Sequence, residues 1–432
     1  MMRKRSRMAA LGILLSLTAL FCLTGCGKAS GEEKELPEEE KAGSQIQELT
    51  AGLKGDTATE EPQAAEGEME ALADFGVRLF QKSLEEGKNT LISPLSAALV
   101  LGMAANGARG ETLSQMEEVI GLPIDRLNAS LYVYRKNLPE GERYQVRTAN
   151  SVWFREDASL AVEEDFLQAA MDWYDGEVFR AVFDDAAVKA VNDWVSENTH
   201  GMIKEIMGEA SREAVMYLIN ALTFEAQWER IYYDHQVSEG VFTREDGTEQ
   251  AAELMYSEEY SFLEDERATG FMKDYSEGKY AFAALLPHEG TDLSDYASSL
   301  TGEGLKKLLA GAQETEVRTR IPRFQCEYSV EMGEILMAMG MTRAFEMENA
   351  DFSGIGSFKE GNLCISRVLH KTFIQVDTEG TRAGAAALTE VAAGASPTEP
   401  KEVYLNRPFL YMIVDCETYT PLFIGAVMDM GN

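Results

Sequence analysis

Between Val368 and Pro397 the chain carries the feature that most restricts what it can fold into. Val368, His370, Thr372, Ile374 and Val376 alternate with Leu369, Lys371, Phe373, Gln375 and Asp377, the period of two of a strand. Beyond Gly380 the period continues, but in small residues. Thr381, Ala383, Ala385, Ala387, Thr389 and Val391 form one uncharged set, whereas the other set contains Arg382 and Glu390. No proline intervenes before Pro397, so every residue from Thr381 to Ser396 keeps an amide that a sheet ladder can use. A plain loop would carry turn residues, and a settled strand would carry more bulk. The composition suits a segment that is mobile first and enters a sheet later, its small side chains sliding between packed neighbours. A flexible alanine-rich loop or a short helix is the plain alternative.

The start of the chain reads as a processing signal. Arg3, Lys4, Arg5 and Arg7 precede an uncharged apolar run from Met8 to Thr24, which ends in Leu23-Thr24-Gly25-Cys26. The run is marginal for a bilayer span and is followed by small residues, so residues 1–25 are expected to be a signal peptide. The last four residues resemble a bacterial lipoprotein box. That resemblance implies cleavage before Cys26 and lipid on its thiol and new amino group, anchoring a soluble body at the outer face of a bacterial membrane. An ordinary secretory signal or an uncleaved anchor are the alternatives.

From Gly27 to Glu68 there are 12 acidic and 4 basic residues and almost no large apolar side chains. Such a segment cannot bury enough surface to fold, so residues 26–68 are expected to form a disordered tether. The whole chain has a net charge of −34, and losing the signal peptide's four cations leaves it more acidic still. This excludes nucleic-acid binding through phosphate contacts and keeps the body off anionic lipid, so membrane contact is expected only through the N-terminal lipid.

Residues 69–432 are long enough for two or three domains, but no internal stretch has linker composition, so one domain is expected. Three cysteines remain beyond Cys26 (Cys326, Cys364 and Cys416), too few for a disulfide framework and without metal-ligand spacing. Ser93-Pro94 is a helix entry, with Ser93 able to cap and Pro94 preset at the first helical position. The helix that follows is small on most sides, which implies tight burial. Ala186 to Asn198 reads as an amphipathic helix. Ala214 to Phe224 is a near-continuous apolar run containing a lone Asn220, the pattern of a central strand covered on both faces. Phe409–Val414 and Leu422–Val427 are similar runs. Together these imply an α+β body.

Several segments resemble the serpin family. H-K-T-F-I-Q-V-D-T-E-G-T-R-A-G-A-A-A is similar to the hinge and reactive loop of inhibitory members. N-T-L-I-S-P-L-S-A-A resembles the buried helix under their main sheet, and Y-L-I-N-A-L-T-F-E-A-Q-W-E their central strand leading to the breach tryptophan. V-Y-L-N-R-P-F-L-Y-M-I and P-L-F-I-G-A-V resemble the closing strands of the second sheet. The resemblance implies a large, mainly antiparallel central sheet, a second sheet, surrounding helices and an exposed, insertable reactive loop. It implies hinge residues Gly380, Thr381, Ala383, Ala385 and Ala387. It also implies a polar shutter of Ser93, Ser96, Asn220 and His370, with Trp228 at the breach. Glu225 and Ala226 stand where the family usually has lysine and glycine, and Thr378 stands where inhibitory members have a glutamate, which leaves open how the hinge is held.

Enzyme motifs are absent from the sequence. There is no G-x-S-x-G elbow, no H-E-x-x-H, no phosphate-binding glycine loop and no paired-cysteine zinc pattern, and the four histidines lie in unrelated contexts. No catalytic residue, cofactor or metal is expected. The resemblance implies a monomeric protease inhibitor that forms a covalent complex with a serine protease. A non-inhibitory member acting as a binding module is the alternative. Counting from Gly380 as the family does places the scissile bond at Gly394–Ala395, with Ala393 and Ser396 marking the one-residue alternatives. The small residues there point to elastase-like or subtilisin-like proteases.

Overall fold

The computed structural model describes residues 46–55, 66–139, 141, 144–157, 159–359, 361–381 and 399–431. Seven strands form one sheet: β1 (Gln47–Glu48), β3 (Tyr144–Arg155), β5 (Glu177–Ala181), β6 (Met216–Gln227), β12 (Phe324–Glu331), β14 (Arg367–Val376) and β15 (Gly380–Thr381). Their order is β1-β5-β3-β6-β15-β14-β12, with β6 and β14 also paired directly. β3 runs parallel to β5 and β6 parallel to β14, and the remaining pairings are antiparallel.

The second sheet contains β2 (Thr90–Ile92), β7 (Val237–Thr243), β8 (Glu249–Glu264), β9 (Ala268–Asp274), β10 (Tyr280–Pro287), β11 (Gln313–Pro322), β16 (Lys401–Tyr404), β17 (Phe409–Asp415) and β18 (Pro421–Val427). It runs β16-β11-β8-β9-β10-β17-β18-β2, with β7 on β8. A two-stranded pair, β4 (Ala161–Val162) with β13 (Gly356–Ser357), stands apart.

Helix α1 (Glu66–Ser83) packs on α2 (Pro94–Ala105), and α2 packs on β3 and β6 of the first sheet and on β18 of the second. All twelve residues of α2 are buried, in keeping with its alanine- and glycine-rich sequence. The opposite face of the first sheet carries a smaller core, where Trp153 stacks on Phe179 at 4.3 Å and Phe183 on Tyr217 at 4.3 Å. With both faces covered, β6 is buried along nearly its whole length.

One boundary expected from composition is corrected. Gln47 and Glu48 pair with Arg180 and Phe179 on the edge strand β5, and Leu49 donates its amide to Val178 O at 2.7 Å. Thr50 is buried, and its Oγ1 accepts the Val178 amide. Residues 46–55 are therefore part of the folded body, and its first helix, α1, begins at Glu66, ahead of the domain start expected at 69. Main-chain pairing to a free strand edge needs no apolar side chains, so composition gives no sign of it.

Candidate functional site

β14 ends at Val376, and the chain reverses within four residues. Asp377 Oδ1 accepts the amides of Glu379 (2.9 Å) and Gly380 (3.3 Å), and the Asp377 amide donates to Gly380 O. The returning chain, Gly380 and Thr381, then enters the sheet as a strand of two residues. It lies antiparallel to both neighbours, with Thr381 opposite Ala226 on β6 and Val376 on β14. Gly380 is required at its position. Its φ is +157°, and a Cβ there would stand 2.1 Å from Ala226 O and 2.8 Å from Gln227 Cα.

Thr381 is fully buried, and its Oγ1 lies 2.6 Å from the Tyr275 hydroxyl. The Tyr275 ring stacks on Trp228 with centroids 4.4 Å apart. Trp228 then holds the turn twice, through Nε1 to Asp377 O at 2.9 Å and through its amide to Glu379 O at 2.9 Å. The Tyr232 amide takes Thr378 O at 2.8 Å. This answers the question raised by Thr378: main-chain carbonyls hold the hinge, and they do not depend on the side chain at that position.

Below the hinge, β6 and β14 pair from Tyr217–Arg367 up to Leu222–Thr372, where their ladder stops. Between that end and the hinge pair stand Thr223, Phe224 and Glu225 on β6 and Phe373, Ile374 and Gln375 on β14. Thr223 Oγ1 is buried and has no hydrogen-bond partner among the described residues.

Deeper still, strand register lines up Asn150 on β3, Asn220 on β6 and His370 on β14. Asn220 Nδ2 donates to Asn150 Oδ1 at 2.6 Å, and its Oδ1 lies 3.3 Å from His370 Nδ1. The entry to α2 completes the group from beneath. Ser96 Oγ donates to Asn220 Oδ1, and the Ser93 amide donates to His370 Nε2 at 3.2 Å. Ser93 Oγ meanwhile caps the helix by accepting the Ser96 amide. Because Nε2 accepts, the imidazole is neutral with its proton on Nδ1. Burial pushes the His370 pKa down to about 3. The cluster therefore bridges three strands and a helix as a neutral network, in which both serine hydroxyls are engaged, Ser93 Oγ as the helix cap and Ser96 Oγ as a donor to Asn220.

Ser93, Ser96, Asn220, His370, Trp228, Gly380 and Thr381 thus all stand where the two central strands meet. Cys26, Ala383, Ala385, Ala387, Ala393, Gly394, Ala395 and Ser396 lie outside the described residues. Three participants were missed in the sequence. Asn150 stands in the middle of the extended stretch V-R-T-A-N-S-V-W-F, where its amide gives no sign of its partner. Asp377 was visible as a turn former after a strand. Tyr275 left no signal, because it reaches the hinge from the second sheet.

A family model described as Serpin (serine protease inhibitor) matches residues 70–430. An uncharacterized serpin-like protein of Thermococcus kodakarensis is 30% identical over 368 residues, covering 83% of this chain and 85% of that one. Tengpin, a thermophilic serpin, is 43% identical in its native-state structure, with a TM-score of 0.85 and coverage of 89% of this chain and 100% of tengpin. Its latent-state structure gives a TM-score of 0.77 at 42% identity, covering 86% of this chain and 100% of that one. Human thyroxine-binding globulin in complex with thyroxine, at 24% identity, 0.76 TM-score and coverage of 85% and 99%, shares the fold alone.

Proposed function

Since this chain belongs to the serpin family, whose members are in general protease inhibitors rather than enzymes, we propose that it is a suicide inhibitor of serine proteases. In this reading the target's serine oxygen attacks the Gly394 carbonyl, an ester forms as the Gly394–Ala395 amide breaks, and the amine of Ala395 leaves with the proton. The freed strand then enters between β6 and β14 and carries the acylated protease with it before water can deacylate the ester.

The observation that carries this is the hinge. Gly380 and Thr381 already occupy the first two places of the incoming strand, antiparallel to both neighbours. Continuing their register in steps of two would set Ala383 opposite Phe224 and Ile374, Ala385 opposite Leu222 and Thr372, and Ala387 between Asn220 and His370. Every residue delivered to the inner face by that register is small and uncharged. Insertion of about 14 residues, each gaining ladder bonds worth on the order of 1 kcal/mol net, supplies roughly 10–20 kcal/mol. That is ample to distort an active site whose geometry tolerates errors of only about 1 Å.

The same reading takes elastase-like or subtilisin-like enzymes as targets and places the inhibitor on the cell surface through lipid on Cys26. The fold by itself does not decide the matter, because thyroxine-binding globulin shares it. Mass spectrometry of the mature domain after mixing with an elastase-like enzyme is the deciding experiment. A covalent adduct ending at Gly394 or a neighbouring residue is the expected product. Free, uncleaved protein would leave the binding-module function in its place.

A further inference from the structure

A second site adjoins the hinge on the side of the second sheet. A cavity of about 460 Å³ opens between the segment that follows Trp228 and strands β7, β8 and β11. Its deepest charged group is Lys273 on β9, whose side chain is 2% exposed. Lys273 Nζ donates to Glu259 Oε1 at 2.7 Å and lies 4.6 Å from the Tyr232 ring centroid and 5.4 Å from that of Trp228. Glu259 is also buried, and it already accepts from Arg230 Nη2 and Ser257 Oγ, each at 2.7 Å.

A buried ion pair is costly to desolvate and is weak evidence for stability. Here the pair lines an open cavity whose wall also carries the guanidinium of Arg320, held over the Tyr404 ring at 4.7 Å. Three cations, Arg230, Lys273 and Arg320, face two carboxylates, Glu258 and Glu259. In a chain of net charge −34, that is a local surplus of one positive charge. Ile231 and Tyr256 add apolar surface. The volume lies within the range of small-molecule sites.

We propose that this cavity binds a small organic monocarboxylate, with the carboxylate on Arg230 and Arg320 and the apolar body against Ile231 and Tyr256. A guanidinium presents parallel N–H groups that match a carboxylate. A dianion such as phosphate fits less well, since Glu258 and Glu259 repel its second charge.

The site is coupled to the hinge through a short path. Arg230 and Ile231 lie between Trp228 and Tyr232, whose amides hold Glu379 O and Thr378 O. A ligand that fixes residues 230 and 231 therefore stabilises the docked hinge. Binding itself does not depend on the inhibitor reading; only an effect on protease trapping rests on it.

The full chain is titrated with sodium butyrate and, separately, with sodium phosphate at matched ionic strength and neutral pH. Butyrate is expected to raise the melting midpoint by about 2 °C and to slow amide exchange at Trp228 and Tyr232, and phosphate to do neither. Arg320→Gln removes the guanidinium stacked over the Tyr404 ring, and Ser238→Trp fills the cavity from the exposed side of β7. Each is expected to abolish both butyrate effects, and two variants guard against one failing to fold. No shift with butyrate, an equal shift with phosphate, or a shift retained in both folded variants overturns the site. A midpoint shift without slower exchange at Trp228 and Tyr232 overturns the coupling. A variant that loses the butyrate response yet still traps protease leaves the inhibitor reading intact, and loss of trapping with the response kept does the reverse.

Discussion

The Thr381 hydroxyl and the Tyr275 hydroxyl lie 2.6 Å apart inside the protein, one on the first two-residue step of the hinge and the other reaching across from the second sheet. Both are fully buried. The bond ties the point where a loop would begin to enter the first sheet to the aromatic stack on Trp228.

Thr381→Arg places a charge at a fully buried position whose nearest polar neighbour is a phenol. The variant is expected to be cut by the target and released, a substrate in place of an inhibitor. Ala383→Pro, which removes a ladder donor, is expected to do the same. An SDS-stable complex formed at wild-type stoichiometry by either variant would end the insertion mechanism.

Gly380→Ala brings a methyl group to 2.1 Å from Ala226 O at a φ of +157°. Neither strand can yield without breaking ladder bonds, so the hinge is expected to leave the sheet, and the Trp228 Nε1 bond to Asp377 O should loosen with it. Faster amide exchange at Trp228 and Tyr232 is the readout. Wild-type protection in the folded variant would show that the hinge docks without needing glycine.

His370 gives stability a pH dependence of predictable sign. Its folded pKa of about 3 lies below the ordinary value of 6.5, so the unfolded chain takes up a proton that the folded chain refuses. The contribution is complete above about pH 6.5 and is lost progressively as pH falls toward 3, at roughly 1.4 kcal/mol per pH unit. His370→Asn is expected to be less stable at neutral pH and to show a shallower decline across that window. Parallel curves for the two proteins from chemical denaturation would assign the slope to other groups.

Cys26→Ser removes the thiol that a lipid thioether requires. The variant is expected to move from the detergent phase to the aqueous phase, because stable anchoring takes two acyl chains or more. Equal partitioning of variant and wild type removes the lipid anchor from the proposal.

The target's specificity pocket is expected to be small. From Val391 to Ser396 no residue is charged and none is larger than valine. A trypsin-like pocket has a buried carboxylate that needs Arg or Lys, and Arg382 and Lys401 are the nearest basic residues. Elastase-like enzymes should be trapped faster than trypsin-like ones; the opposite order, or a trapped bond outside 391–396, contradicts the assignment.

What could be read from the sequence followed from local rules. The alternation of Val368 to Val376 gave a strand with one buried face, the Ser93-Pro94 pair gave a helix entry, and a lone Asn220 in an apolar run marked a polar contact awaiting partners. Those partners depend on register and on which sheet lies behind which. Asn150 meets Asn220 because β3 and β6 run antiparallel at one particular offset, and Tyr275 meets Thr381 only when the two sheets have packed. Lys273 and Glu259 are separated by 14 residues on adjacent strands, and neither is remarkable alone in a chain so rich in charge. Thr50 and its neighbours escaped notice because their docking uses the backbone.

In the proposed mechanism, the incomplete β6–β14 ladder would set where loop entry becomes difficult. Above Leu222 and Thr372 no bond between those two strands has to be given up, so the step bearing Ala383 meets no opposing pair. The step bearing Ala385 is the first to reach an existing one, Leu222 with Thr372, and from there each advance must unzip a rung before making two. On that mechanism the energetic summit of entry would fall near Ala385, ahead of the Asn220–His370 cluster. Once past it, the strand would gain with every residue, so a protease that deacylates more slowly than this single early crossing would have no later chance to escape.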